Sequence, residues 1–225
     1  MTDFPFAIVG FDLDGTLVDS HKDLHPALNH ALTEAGRDPI AEDQVIHLIG
    51  GGAKVMLERA LNVTGGPAEP AEFERLYGIL LDHYTAHIAD FTRPFPGCLE
   101  ALDGLAARGC KLAVVTNKSE RLARILLDEL GITGRFDSII GGDTLGPGRG
   151  KPAPDMIHET IARCGDDERF AMIGDSSYDV RAAKAAGKPV VVLSFGYNDE
   201  PADKLGADAV IDHYDELIPA LEALG

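Results

Sequence analysis

The sequence predicts an α/β protein: a doubly wound parallel sheet interrupted by one all-helical insert. Three observations carry this reading. Apolar runs at 6–11, 111–115, 137–141, 170–174 and 189–193 alternate with helix-length segments after residue 98, the pattern of a parallel sheet covered on both faces. Between about residues 24 and 89 the apolar residues recur at helical spacing, with no strand-like run. Polar, acid-bearing clusters directly follow the apolar runs, where an open α/β sheet presents its ligand sites.

The first run, 6–11, is almost wholly apolar, as a strand buried on both faces must be. It ends in Asp12-Leu13-Asp14-Gly15-Thr16. Two acids at the end of a buried strand raise each other's pKa. A cation between them removes that cost, and Mg²⁺ prefers such oxygen ligands. Gly15 allows the chain to turn sharply there. In the insert, Leu24, Leu28, Ala31, Leu32 and Ala35 mark one helical face, ended by Gly36. A short helix is expected over 41–48, broken by Gly50-Gly51-Gly52, and a third begins at Lys54. Gly65-Gly66-Pro67 is a further break. A long helix over 72–88 turns Phe73, Leu76, Tyr77, Leu80, Leu81 and Tyr84 inward. The exits lie at Ser20-His21-Lys22 and at the Pro- and Gly-bearing segment 93–97. Residues 1–20 and 94–225 then form the sheet domain and 21–93 the insert. Helices are expected over 99–108, 120–130, 155–164, 179–186 and 215–224, with a short last strand at 209–211.

The 225 residues suit one large domain or two small ones. Three scattered cysteines without a C-x-x-C suggest neither a disulfide framework nor a zinc site. A reducing, cytoplasmic setting is expected. Residues 1–5 carry no basic region, and no apolar run reaches membrane-spanning length. The formal net charge of −17 argues against nucleic acid or an anionic membrane as partner. An anionic substrate needs a local positive site in such a chain. A monomer or homodimer is expected.

Four clusters follow the strands or their loops: Asp12 with Asp14, Thr116-Asn117-Lys118, Lys151 in the loop 150–154, and Asp175-Ser176-Ser177-Tyr178-Asp179. Carboxylates, a hydroxyl, an amide and ammonium groups make a set that suits Mg²⁺ and phosphate. Singly, Thr116-Asn117 and Asp175-Ser176 are ordinary helix caps, and Lys151 an ordinary solvated lysine. Other motifs fail. Leu145 and Pro152 break the P-loop pattern. The spacing of acids and glycine fits no EF-hand. His83 and His87 stand one helical turn apart without an H-E-x-x-H pattern, and are expected as a solvated pair.

Taken in order, Asp-Leu-Asp-Gly-Thr at 12–16, Val-Thr-Asn at 115–117, Lys-Pro at 151–152 and Gly-Asp-Ser-x-x-Asp at 174–179 resemble the four-motif signature of the haloacid dehalogenase superfamily. The resemblance covers nearly the whole chain. It implies a Rossmann-like core and makes the insert that superfamily's C1 cap. It implies that Asp12 is the nucleophile, forming an aspartyl-phosphate, and that Asp14 is the acid and then the base. It assigns Mg²⁺ to Asp12, the Asp14 carbonyl and Asp175, with Asp179 behind them. Thr116 and Asn117 hold the phosphoryl oxygens, and Lys151 neutralises charge. Dehalogenases of the superfamily lack the second aspartate, so Asp14 implies phosphoryl transfer. The stretches 49–61, 113–118 and 195–201 resemble the bacterial phosphoglycolate phosphatases. That implies a small phosphorylated metabolite as substrate, 2-phosphoglycolate foremost. Gly51 and Gly52 at a helix N-terminus, helped by Lys54 or Arg59, are the expected substrate contacts in the cap. The alternatives are a sugar-phosphate mutase of the β-phosphoglucomutase kind, a phosphatase for another small phosphate or pyrophosphate, and a non-catalytic binding module. Intact Asp12, Asp14, Lys151 and Asp175 argue against the last.

Overall fold

The chain is described from a computed structural model, over residues 4–225. β1 (Ile8–Phe11) is buried along its whole length. A tight turn leads to β2 (Val18–Asp19) and then to the helical insert. The insert comprises α1 (His21–Glu34), α2 (Glu42–Val45) with a 3₁₀ turn over Ile46–Leu48, α3 (Ala53–Val63) and α4 (Pro70–Ala86). The chain returns through β3 (Arg93–Pro94), antiparallel to β2. α5 (Cys98–Ala106), β4 (Lys111–Val115), α6 (Glu120–Glu129) and β5 (Ser138–Ile140) build one half of the core. α7 (Asp155–Arg163), β6 (Phe170–Gly174), α8 (Ser177–Ala185), β7 (Val190–Leu193), β8 (Ala209–Ile211) and α9 (Leu217–Leu224) build the other.

The sheet runs β5-β4-β1-β6-β7-β8, every neighbouring pair parallel. β1 lies between β4 and β6, so the chain order reverses across it, and a crevice opens at the carboxyl ends there. Alternation along the strands divides the core in two. Val9, Phe11, Leu112, Val114, Ala171 and Ile173 face one core, which is continuous with the apolar interior of the insert. Ile8, Val115, Met172, Val190 and Val192 face the other, against Met156 and Ile157 of α7 and Val180 of α8. The doubly wound sheet is therefore the one the sequence predicts.

The differences are local. The long insert helix starts at Pro70 rather than near 72, because a proline in the first turn gives up an N–H that has no intrahelical partner anyway. The segment 41–48 makes one α turn and one 3₁₀ turn, too short to nucleate a longer helix before the glycines. The last helix is preceded by a 3₁₀ turn over Tyr214–Glu216. The β2–β3 ribbon was not expected, since two residues per strand carry no readable alternation. It sits on the expected exits of the insert. Buried Asp23 fastens it, accepting hydrogen bonds from the Phe91 and Thr92 N–H groups and the Thr92 hydroxyl. No helix among the described residues is long and apolar enough to cross a membrane.

Candidate active site

All four clusters meet at the carboxyl edge of the sheet. β1 delivers Asp12, whose Oδ1 accepts the Leu13 N–H at 2.7 Å. The loop after β5 delivers Lys151, whose buried ammonium lies 3.0 Å from Asp12 and 2.6 Å from Asp179. β6 ends at Asp175, with Asp179 in the first turn of α8. Gly15, at φ +81°, turns the chain away from Asp12, and a Cβ there would stand 2.4 Å from the Asp175 carboxylate. Only glycine fits that approach.

Asp12, Asp175 and Asp179 bring carboxylate oxygens within 4.8 Å of one another. Three carboxylates against the one ammonium of Lys151 leave a charge of −2 when all are ionised. Burial, with Asp179 adding to it against the pull of Lys151, pushes Asp12 up to about 6. Burial, then the charges of Asp179 and Asp12, push Asp175 well above the usual carboxylate range. Burial works against the Lys151 charge, but the carboxylates of Asp12 and Asp179 outweigh it and raise its pKa. Buried oxygens short of two positive charges are what a hard divalent cation relieves, so the donor set fits Mg²⁺. Asp179 is already committed: Oδ1 to Lys151, Oδ2 to the Asp175 and Ser176 N–H groups and the Ser176 hydroxyl. It orients Lys151 and the Asp175 loop.

The Asp14 side chain stands apart from this cluster. Its Oδ1 accepts the Ser20 hydroxyl and its Oδ2 the Lys118 ammonium, each at 2.7 Å. Of the expected metal set, Asp14 therefore keeps its carboxylate elsewhere. The Thr116 hydroxyl oxygen accepts the Lys118 N–H at 3.2 Å, which leaves its own hydrogen free to donate. Asn117 donates from its amide nitrogen to the carbonyls of Gly50 and Lys151. It ties the insert to the core rather than standing open, and Ser119 caps α6 in place of Thr116 or Asn117.

A cavity of about 270 Å³ lies between core and insert, bounded by Asp12, Asp14, Thr116 and Lys118 on one side and Gly51 and Gly52 on the other. Gly52 N-caps α3 at φ +88°, and a Cβ there would meet the Asn117 carbonyl at 2.9 Å. A Cβ at Gly51 would stand 3.0 Å from the Tyr178 hydroxyl. Lys54 reaches the wall, but its exposed ammonium pairs with Glu74 at 2.9 Å, a contact worth little. Arg59, expected at the substrate, is placed differently. Its guanidinium donates to the Leu48 carbonyl and, at 2.9 Å, to the Tyr178 hydroxyl of α8, so it braces insert against core.

Several residues with no role assigned from the sequence stand in the site. Thr16 donates its hydroxyl to one Asp175 oxygen and Tyr197 its N–H to the other, both at 2.7 Å. The Tyr197 hydroxyl accepts the Ser20 and His21 N–H groups, joining the acid cluster to the hinge. Thr16 closes the first motif and Tyr197 lies in the stretch 195–201, so both carried a signal. Lys118 lies in the second cluster and in the stretch 113–118, and Tyr178 in the fourth cluster, but neither position assigned it a role. His30, His83 and His87 stack in series, with ring centroids 4.9 and 4.8 Å apart. Burial and the two neighbouring rings lower the pKa of His83.

Residues 9–193 match a family model described as haloacid dehalogenase-like hydrolase. The chain is 44% identical over 218 residues to the phosphoglycolate phosphatase of Agrobacterium fabrum, covering 96% of this chain and 92% of that one. It is 41% identical over 211 residues to the phosphoglycolate phosphatase of Mesorhizobium japonicum, covering 93% and 92%. A crystal structure described as a predicted phosphoglycolate phosphatase from Haemophilus somnus shares 32% identity and a TM-score of 0.89, covering 96% of this chain and 97% of that one.

Proposed function

This chain belongs to the haloacid dehalogenase-like hydrolases, and from that premise we propose that it hydrolyses 2-phosphoglycolate to glycolate and phosphate. The named activity of its relatives supports the substrate. One observation carries the chemistry: Asp12 sits in the buried acid cluster while Asp14, two residues on, turns its carboxylate to Ser20 and Lys118. Neighbouring carboxylates in unlike surroundings take unlike roles.

An Asp12 oxygen attacks phosphorus as the ester P–O bond breaks, and Asp14 gives a proton to the departing glycolate oxygen. A water then attacks the aspartyl-phosphate, Asp14 takes its proton, and phosphate leaves. Lys151 offsets charge on the nucleophile and the transferring group, and the Thr116 hydroxyl donates to a phosphoryl oxygen. Asp12, Asp175 and the Asp14 carbonyl would hold Mg²⁺, which when bound would supply charge neutralisation and orientation at phosphorus. Asp179 fixes Lys151. Asn117, together with Arg59 and Tyr178, holds the cap over the cavity and restricts bulk water.

The test is a panel of small phosphate compounds with Mg²⁺: the monoesters 2-phosphoglycolate, 3-phosphoglycerate and a hexose phosphate, together with pyrophosphate. The highest kcat/KM is expected for 2-phosphoglycolate. A tenfold or greater preference for another ester overturns the substrate.

A further inference from the structure

Lys118 has no part in the phosphoryl cluster, where Lys151 serves Asp12. Its side chain is 6% exposed, and its ammonium lies 2.7 Å from Asp14 and 4.6 Å over the ring of Tyr84, from α4 of the cap. Lys118, Tyr84 and Asp14 all line the cavity between core and cap. Tyr84 is 1% exposed, and its hydroxyl makes no well-formed hydrogen bond among the described residues, the Lys118 ammonium being the polar group beside it. Buried polar groups in folded proteins are nearly always hydrogen-bonded. Burial pushes this phenol up to about 12, so at neutral pH it is a donor. A buried ammonium and an idle hydroxyl on one cavity wall ask for an anion. Meanwhile both Asp14 oxygens are taken, Oδ1 by Ser20 and Oδ2 by Lys118. Asp14 cannot turn Oδ2 to a leaving group until Lys118 lets go.

We propose that Lys118 and Tyr84 form the subsite for an anionic group at the end of the substrate remote from phosphorus, and that Lys118 exchanges Asp14 for that group as the substrate binds. For the substrate assigned above, on which this rests, that group is the carboxylate. An ammonium ion has three donors and no acceptor, so an incoming carboxylate draws it from Asp14 without leaving it unpaired. Charge-assisted hydrogen bonds in a buried site are strong. Asp14 is freed in the same event, takes up a proton from water, and faces the leaving oxygen of the molecule that freed it. An ester without the anionic end meets Asp14 still tethered, so discrimination appears in kcat as well as KM.

The experiment compares 2-phosphoglycolate with ethyl phosphate, which has a methyl in place of the carboxylate, on the Mg²⁺-loaded enzyme. Lys118→Met should lower the ratio of their kcat/KM values roughly 100-fold, and Tyr84→Phe, which keeps the packed ring, about tenfold. Inhibition by inorganic phosphate, which probes the phosphoryl site alone, monitors the fold of each variant. An unmoved ratio in both variants overturns the proposal and leaves Lys118 a support for Asp14. Should the wild type favour another anionic-ended ester, such as a bisphosphate, the substrate assignment fails by itself. The same ratio taken on that ester against its neutral analogue then decides: a similar loss supports the subsite, and an unmoved ratio overturns it. No preference for any anionic end overturns it outright.

Discussion

Replacing Asp12, the proposed nucleophile, should stabilise the metal-free protein. Asp12 is 4% exposed and rises from an ordinary 3.8 to about 6, burial outweighing Lys151. In the unfolded chain it ionises near 3.8, in the folded chain near 6. Below about pH 4 both states hold the proton and nothing is lost. Between about 4 and 6 the folded state holds the extra proton, so stability falls as pH rises, and the loss is complete above about 6. Two units at about 1.36 kcal/mol each make a penalty of about 3 kcal/mol. Asp12→Asn never ionises and escapes it. In EDTA near neutral pH the variant should melt about 6–12 °C above wild type, since 1 kcal/mol moves a chain of this size about 2–4 °C. The advantage should vanish near pH 4. Saturating Mg²⁺ should narrow or reverse it, because wild type gains metal-binding energy that the variant lacks. Calorimetric melts over that pH range, with EDTA and with Mg²⁺, read all three. A variant less stable than wild type in EDTA at neutral pH would refute the reasoning: the Asp12–Lys151 pair would then outweigh the cost of burial.

Asp175→Ala should weaken Mg²⁺ binding by more than the roughly 10–100-fold typical of an outer-sphere change. Calorimetric titration reads it, and Asp179→Asn gives the smaller, outer-sphere comparison. Activity should vanish in EDTA and be inhibited by Ca²⁺, whose longer and more numerous contacts disturb in-line geometry; full turnover in excess EDTA would exclude a metal. Gly52→Ala forces a Cβ to 2.9 Å from the Asn117 carbonyl at φ +88°, and should cut kcat/KM for 2-phosphoglycolate at least about tenfold. A smaller loss is expected on acetyl phosphate, which has no remote end for the cap to grip; equal losses would make the turn purely structural. Tyr178→Phe removes the acceptor of the 2.9 Å bond from Arg59 and should raise KM by roughly 5–10-fold, read by steady-state kinetics.

The strands were legible because burial on both faces demands unbroken apolar runs. The runs at 111–115 and 170–174 coincide with β4 and β6. Helix ends were less so, since Pro70 and the 3₁₀ turn before α9 depend on local backbone bonding that apolar spacing does not encode. The residues that meet at the sheet edge were legible as motifs, for each follows a strand whose neighbours bring it to the same crevice. How they pair was not. Arg59 looked like a substrate ligand because its charge is visible in the sequence, but its acceptor, Tyr178, lies 119 residues away. Lys118 adjoined a motif, yet its ties to Asp14 and Tyr84 span core and cap. The β2–β3 ribbon and its Asp23 clamp have no periodic signal at all.

The central claim is that Asp12 carries the phosphoryl group. Mixing enzyme, Mg²⁺ and 2-phosphoglycolate for a single turnover, quenching in acid and mapping the peptides by mass spectrometry tests it directly. A transient phosphoryl adduct on the Asp12 side chain is expected, formed at the rate of glycolate release and absent from Asp12→Asn. Glycolate release with no adduct on any time scale, or an adduct on another residue, would contradict it.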